Sequence, residues 1–336
     1  MAPLRIGLIG AGFVSQHHLA AWQRLAGRAG VVAIADPSTE NARRRVDAFG
    51  IPRTYPTAVA MLEAESLDAI DVASPRETHA AMVRLAAAKG ISVLCQKPLA
   101  PTYEEAAALV AEVGVTRLMV HENWRFRAYY RQIGEWLRAG RIGTVLQARM
   151  SLFSSGLLPT STGERPALVR QPFIGTLERA LVNEVLIHHI DTLRFLLGDL
   201  ALVSAHLGRT SGAMRGEDRA AITLQTKVGA PVQLIANLCV HDQPPALIDR
   251  LVLVGETGTI RLDGSRLTCS GAQPAALDFD LDACYTDSYA ETIAHFVDAL
   301  ERGGPFETSP KDNLRTLRLV EDVYESATRF ASSPPV

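Results

Sequence analysis

The chain has 336 residues, with 34 Lys and Arg against 36 Asp and Glu, for a formal net charge of -2. That balance argues against nucleic acid or an anionic membrane surface as a main partner. No apolar run approaches the roughly 20 residues of a spanning helix, so no membrane is expected either. A composition of 47% hydrophobic and 21% charged residues is that of a globular protein, at a length that calls for two domains. The start, Met1-Ala2-Pro3-Leu4-Arg5, runs straight into a strand pattern, so no signal peptide is expected. Cys95, Cys239, Cys269 and Cys284 fit no CxxC spacing and point to a reducing, cytoplasmic setting.

Over the first part of the chain short apolar runs alternate with helical patterns, which predicts βαβ units and a parallel sheet. Residues 4–10 read as a strand and residues 13–28 as a helix, with Leu19, Trp22 and Leu25 at helical spacing. A strand at 31–36 and a helix at 39–49 follow. The next strand covers 69–74, and the helix after it stops near Lys89-Gly90, where the glycine suits a helix end. A strand at 93–96 leads to a helix opening after Thr102, whose hydroxyl forms a capping box with Glu105. Residues 117–123 give one more strand. These strands are nearly continuous in apolar residues, as expected of a sheet buried on both faces.

Beyond about residue 124 the pattern changes. A helix at 129–139 precedes a longer strand at 145–153, and residues 154–171, rich in Ser, Thr, Gly and Pro, read as a long excursion of the kind that carries function. A helix at 182–197 ends at Gly198. Strands follow at 201–207, 220–225, 232–240, 250–255 and 259–262, with Gly255-Glu256-Thr257-Gly258 as a hairpin turn. Strands without intervening helices imply a largely antiparallel sheet. Helices at 288–302 and 310–330 close the chain, and the tail 332–336 is expected to fray.

Gly10-Ala11-Gly12-Phe13-Val14-Ser15 closes the first strand and opens the first helix. The first glycine permits a tight turn and the second lets the backbone approach a pyrophosphate, while the helix start at Phe13 and Val14 offers unpaired N–H groups and a favourable dipole. Ser15 stands where a third glycine is usual. Asp36, at the end of the second strand, is placed to accept hydrogen bonds from ribose hydroxyls and to repel a 2′-phosphate. Pro37 and Ser38 follow it with no basic residue beside them, which favours NAD over NADP. Arg43-Arg44-Arg45 reads as a solvated helix face. The expected fold is therefore α/β: a Rossmann dinucleotide-binding domain over residues 1–124 and an α+β domain over 125–336 with an open, largely antiparallel sheet. The final helix is expected to pack back on the first domain.

Further strand ends carry further chemistry. Gln96-Lys97-Pro98 follows the strand at 93–96, and Pro98 keeps the lysine on a non-helical turn where its amine can meet a substrate oxygen. His121-Glu122-Asn123-Trp124-Arg125-Phe126 stands at another strand end. There Asn123 can meet the nicotinamide or the substrate, and Trp124, Arg125 and Phe126 either wall a pocket or anchor the domains. In the helix at 182–197, Glu184 and His188 are four apart and share a face that Asp191 continues. A histidine titrating near neutrality suits the proton of an alcohol undergoing oxidation. Adjacent His188 and His189 diverge by about 100° on a helix, so no metal site is expected.

Taken together, Gly10-Ala11-Gly12, Asp36-Pro37, Ser74-Pro75 with His79, Lys97-Pro98, Asn123-Trp124-Arg125-Phe126 and Glu184-x-x-x-His188-x-x-Asp191 resemble the glucose–fructose oxidoreductase / inositol dehydrogenase (Gfo/Idh/MocA) family. The resemblance spans essentially the whole chain. It implies a bound NAD, an open sheet that mediates assembly into a homodimer or homotetramer, and oxidation at a sugar or cyclitol carbon. It also implies His188 as acid/base with Lys97 assisting, Glu184, Asn123, Trp124 and Arg125 toward the polyhydroxylated substrate, and Ser74, Pro75, His79, Gln96 and Lys97 itself toward the cofactor. The chain departs from the family at Gln96, where relatives carry glutamate, and at Glu184 and Leu186, where they carry aspartate and glycine. Within the family, the runs 121–126 and 183–189 resemble D-apiose dehydrogenases, which implies a branched pentose oxidised to its lactone. The alternatives are a glycosidase that uses NAD transiently and a non-catalytic dinucleotide sensor, the latter disfavoured because binding alone needs neither Lys97 nor His188.

Overall fold

The computed structural model describes residues 2–331, so the tail at 332–336 lies outside the described residues. The chain begins β1 (Leu4–Ile9), α1 (Ser15–Gln23), β2 (Ala29–Ala35), α2 (Thr39–Phe49), β3 (Arg53–Tyr55), α3 (Ala58–Ala64), β4 (Ala69–Val72), α4 (Arg76–Ala87), β5 (Ser92–Gln96), α5 (Tyr103–Val113) and β6 (Leu118–His121). It continues through α6 (Ala128–Arg138), β7 (Val145–Phe153), α7 (Pro166–Arg170), α8 (Ile187–Leu197), β8 (Leu200–Gly208), β9 (Arg219–Thr226), β10 (Pro231–Asn237), β11 (Asp249–Gly255), β12 (Thr259–Asp263), β13 (Arg266–Cys269), β14 (Ala275–Asp278), α9 (Leu281–Arg302) and α10 (Pro310–Ala331). Local chemistry sets several of these bounds. Ser38 caps α2 by accepting Asn41 N–H at 3.2 Å, and Gly50 closes it in the left-handed region. Thr102 caps α5 by accepting Glu105 N–H at 3.2 Å.

The residues divide into two compact units: one runs to Phe126 and includes Tyr285–Leu317, and the other is Arg127–Cys284 with the chain from Arg318 onward. In the first unit six strands form a sheet of order β3-β2-β1-β4-β5-β6, parallel throughout. This is the Rossmann-type sheet expected. Strands β1, β4, β5 and β6 are buried along nearly their whole length because helices cover both faces. On one face Leu8, Leu19, Ile34 and Ile51 form a core. On the other, Ile6, Trp22, Leu94 and Met119 pack with Ile293, Phe296, Val297 and Phe306 from the C-terminal segment. The domain boundary expected at 124 thus differs from this division at residues 125–126 and by residues 285–317, whose apolar face joins the first unit's core.

The second unit holds an eight-stranded sheet of order β14-β13-β12-β11-β7-β10-β9-β8. It is antiparallel except where β10 pairs with β7 in parallel. Its strands alternate buried and exposed positions, with Ala148, Met150 and Leu152 of β7 and Val232, Leu234 and Ala236 of β10 on the inner face. One face is packed and the other open, as the alternation requires.

Several expectations need correction. The first helix stops at Gln23, and residues 24–28 form turns on the way to β2. The short β3, α3, β13 and β14 carry patterns too brief to stand out. The excursion at 154–171 contains α7. The helix expected to start at 182 begins as a π-helix over Leu181–Leu186 and becomes α-helical from Ile187, while α9 starts at Leu281 rather than 288.

Phe296 is fully buried, stacked 5.3 Å from Phe306 and edge-on to Trp22 at 6.5 Å. Phe296→Ala is expected to cost about 3–5 kcal/mol, read as a lowered urea midpoint; an unchanged midpoint would remove α9 from this core.

Candidate active site

The strand order places a topological switch between β1 and β4, since β2 and β3 lie to one side and β5 and β6 to the other. Ligands of open parallel sheets bind outside the carboxyl ends at such a point. Here those ends carry Gly10-Ala11-Gly12 after β1, Asp36 after β2, Ser74-Pro75 after β4, Gln96-Lys97-Pro98 at the end of β5, and Asn123 after β6. The sheet therefore gathers the cofactor-side candidates of the sequence along one edge.

Gly10 has φ +100°, and a Cβ there would lie 2.7 Å from the carbonyl of Ala73 and from Ser74 N. Only glycine lets the turn after β1 close against the end of β4. A Cβ on Gly12 would meet nothing within 4 Å, so the turn presents open space on its outer side, beside Phe13 and Val14. This tight turn with an unobstructed second glycine fits a pyrophosphate. Asp36 supports it, accepting Ala11 N–H and Ser38 N–H at 2.7 Å each. These bonds occupy one lone pair on each carboxylate oxygen and leave others for ribose hydroxyls.

Arg45 corrects the reading of Arg43-Arg44-Arg45 as a wholly solvated face. Arg43 and Arg44 are exposed, but Arg45 is buried and donates to Gly12 O at 2.7 Å and to Ser15 Oγ at 2.9 Å. Ser15 Oγ in turn donates to Gly12 O at 2.7 Å. The residue at the third-glycine position thus takes part in pinning the phosphate turn from behind. Burial lowers the Arg45 pKa, helped by neighbouring Arg44. Periodicity alone pointed to this residue only weakly: Ala42 and Arg45 are three apart, on the buried side of α2.

His79 joins two of the strand ends. Its Nδ1 lies 2.8 Å from Pro98 O and its Nε2 2.9 Å from Ser74 O. Burial lowers its pKa, while the two carbonyls pull the other way. It is a clamp between the Ser74-Pro75 and Lys97-Pro98 turns. Lys97 is half-buried, and its N–H donates to Gln96 Oε1 at 2.7 Å.

Among the residues at 121–126, Asn123 Nδ2 donates to Ser288 Oγ at 2.8 Å. Arg125 donates to Asp312 Oδ2 at 2.7 Å at the start of α10. Trp124 is buried with its ring edge-on to Tyr285 at 6.4 Å. The structure ties these residues to the C-terminal segment of their own unit.

Glu184 and His188 belong to the second unit. The uniform α-helical face assumed for them does not extend through Leu181–Leu186, because the π-helix takes a wider turn there; such turns recur at functional sites. Glu217 accepts Val182 N–H at 3.0 Å, Ala180 N–H at 3.3 Å and the Tyr324 hydroxyl at 2.7 Å, which holds the start of the π-helix. Glu184 is half-buried and His188 is buried. Further along α8, Arg194 pairs with Asp199 at 3.6 Å.

Beside His188, His189 is fully buried, with Nε2 at 2.8 Å from Asp249 Oδ1 and Nδ1 at 3.1 Å from Val185 O. Asp249 also accepts from Tyr130 at 2.9 Å, Tyr129 at 3.2 Å and Arg127 at 3.3 Å. Burial alone would raise the Asp249 carboxyl, but His189, Arg127 and Tyr130 outweigh it and hold it below the usual carboxylate range. Burial and Asp249 together push the Tyr129 and Tyr130 hydroxyls up. The sequence reading missed this network, because Asp249 is 60 residues from His189 and the two meet only where α8 lies against the start of β11. Among the described residues no group of three or more His, Cys, Asp or Glu is placed to hold a metal ion, and no helix is long and apolar enough to cross a membrane.

Residues 4–123 match the family model described as oxidoreductase family, NAD-binding Rossmann fold, and residues 130–261 match the GFO/IDH/MocA C-terminal domain. A D-apiose dehydrogenase of Paraburkholderia graminis is 36% identical over 95% of this chain and 86% of its own length. Another, from Rhizobium rhizogenes, is 35% identical over 97% of this chain and 96% of its own. An oxidoreductase from Agrobacterium radiobacter, crystallised with NAD+, L-tartaric acid and magnesium, superposes with a TM-score of 0.89 at 31% identity, over 98% of this chain and 97% of that one.

The Asp249 network carries a pH dependence. A carboxyl held low in the folded state contributes stability that is complete above its unfolded value, about 3.9, and is lost as pH falls through the folded value. Asp249→Asn is expected to destabilise by about 3–5 kcal/mol at neutral pH, as removal of one partner from a buried ionic cluster does. The difference from the wild type should shrink toward acid in thermal melts; a constant difference would show that the Asp249 charge is not the source.

Proposed function

Because the chain belongs to the Gfo/Idh/MocA family of NAD-binding oxidoreductases, we propose that it is a dehydrogenase of D-apiose, acting at a hydroxyl-bearing ring carbon to give the lactone. The observation that carries the site is the convergence of Gly10-Ala11-Gly12, Asp36, Ser74-Pro75 and Lys97 on the carboxyl edge of one parallel sheet. The substrate reading rests on two relatives of that name at 35–36% identity and on the runs at 121–126 and 183–189.

The turn at Gly10–Gly12 and the start of α1 would hold the pyrophosphate, Asp36 would hold the adenosine ribose, and Ser74, Pro75, His79 and Gln96 would line the cofactor side. When bound, NAD supplies an acceptor for the hydride of the substrate carbon. The remaining work is done by the chain's own groups. Oxidation of a C–H bearing a hydroxyl releases a proton along with the hydride. His188 takes that proton, and Lys97 donates a hydrogen bond to the oxygen as it becomes a carbonyl. Glu184, Asn123, Trp124 and Arg125 face the remaining hydroxyls or hold the segments that do.

D-Apiose, other aldoses and inositols, each assayed by NADH absorbance with NAD and with NADP, test the substrate. Turnover of D-apiose well above the panel is expected. Sugar cleavage without NADH accumulation would overturn the reading in favour of a hydrolase that uses the cofactor transiently.

Lys97→Ala is expected to lower kcat by at least about 10²-fold, and His188→Ala by about 10²–10⁴-fold, each with NAD affinity nearly unchanged. Near-native kcat in either variant would sink that residue's role. Asp36→Ala should weaken NAD far more than NADP, since it removes the repulsion of a 2′-phosphate as well as the ribose contact. An equal loss for both would reduce Asp36 to its support of Ala11 and Ser38.

A further inference from the structure

Beneath the Lys97 turn a chain of polar side chains is sealed inside the first unit. Asp71 of β4 and His18 of α1 are fully buried, and Trp22 and Gln96 nearly so. His18 Nδ1 lies 2.8 Å from Asp71 Oδ2 and 3.0 Å from Oδ1; Trp22 Nε1 donates to Asp71 Oδ2 at 2.7 Å. Gln96 Nε2 lies 3.1 Å from His18 Nε2, and Gln96 Oε1 accepts the Lys97 N–H at 2.7 Å.

The direction of every bond follows from one fixed donor. A backbone N–H can only donate, so the atom facing Lys97 N is the amide oxygen of Gln96. The Gln96 NH2 group then points at His18 Nε2, which must accept. A neutral imidazole that accepts at Nε2 carries its proton at Nδ1, and that proton meets the Asp71 carboxylate. Donor faces acceptor throughout, with a single negative charge, on Asp71. A glutamate at position 96 would break this order, because both ring nitrogens would then face carboxylates.

We propose that Gln96 is a positioning residue for Lys97, and that its amide sets the His18 tautomer and the proton count of the buried Asp71–His18–Gln96 chain. The positioning role rests on the reading of Lys97 as the group at the substrate oxygen; the proton count does not. It also accounts for the departure from the glutamate of the family, since an uncharged residue at 96 lets the network close without an extra proton.

Gln96→Glu tests the proton count. Its folded state must take up a proton, shared among the introduced carboxylate, His18 and Asp71, that the unfolded chain does not hold above neutrality. Other groups face His18: the His121 ring at 4.2 Å from β6 and the Tyr289 ring at 5.6 Å from α9, while Lys97 adjoins Gln96 in sequence. Each of these is present in wild type and variant alike. Where the folded state binds more protons, stability falls as pH rises. Relative to the wild type, the unfolding constant of Gln96→Glu should grow by up to about tenfold per pH unit above neutrality.

The double variant Gln96→Glu with Asp71→Asn should remove that slope. The amide introduced on β4 would accept from Trp22 and donate to His18 Nδ1. His18 would then donate from Nε2 to the carboxylate introduced at the end of β5, which still accepts Lys97 N–H. The network then runs in reverse with one bond kept at each contact: His18 Nδ1 accepts from the position of Asp71 Oδ1, 3.0 Å away, and gives up its 2.8 Å contact with the oxygen that serves Trp22. Parallel stability curves for wild type and Gln96→Glu from pH 6 to 9 would overturn the proposal, as would a double variant that keeps the slope.

Gln96→Met, which loses both bonds, reads the positioning role. A fall in kcat of at least about tenfold, with substrate KM little changed, is expected. Native kcat in Gln96→Met would end that role. A Lys97→Ala variant with native kcat would instead fault the functional reading and leave the stability result standing.

Discussion

The pairing of β1 with β4 is the constraint on which the first unit depends. Ile6 to Ile9 align with Ala69 to Val72, and the chain on either side of the pair runs to opposite halves of the sheet. That pairing opens the crevice where a dinucleotide binds, and it forces Gly10 against Ala73 so closely that no side chain fits. Everything attached to the two strand ends inherits its place from this contact. Asp36 reaches Ala11, His79 bridges Ser74 and Pro98, and Gln96 holds Lys97.

Buried charge appears behind both candidate catalytic segments. Asp71 stands behind Gln96 and Lys97, and Asp249 stands behind His189, the neighbour of His188. An isolated carboxylate in such a place would cost several kcal/mol. Each is instead surrounded by donors: His18 and Trp22 for Asp71, and His189, Tyr130, Tyr129 and Arg127 for Asp249. Such clusters allow few alternative arrangements, because shifting one member strands another without a partner. In this chain they lie next to the segments that carry Lys97 and His188. The π-helix at Leu181–Leu186 belongs to the same pattern, with Glu217 at its start and His189 bonded back to Val185.

The sheet of the first unit was legible because its strands are apolar runs of ordinary length bounded by glycine turns and capped helices. The short β3, β13 and β14 were not, since three or four residues carry too little pattern to separate from loop. The glycine turn, Asp36 and the Lys97 turn were legible because each lies at the end of a strong strand. Arg45 was misread: a run of three arginines looks solvated, and only the docking of α2 turns the third one inward. Trp22 was read as an apolar position of α1, and the structure adds that its indole N–H meets Asp71.

The sequence by itself determined the fold class, the order of the longer elements, the phosphate turn and the residues that merit attention at strand ends. These rest on local chemistry: periodicity, capping, and the backbone freedom of glycine. Tertiary structure alone decided which polar groups share a proton. His18, Asp71 and Gln96 come from three separate elements, and His189 meets Asp249 across 60 residues of chain. Hydrogen bonds of that kind leave no periodic trace, because they form only where packing has already brought a donor and an acceptor within about 3 Å of each other.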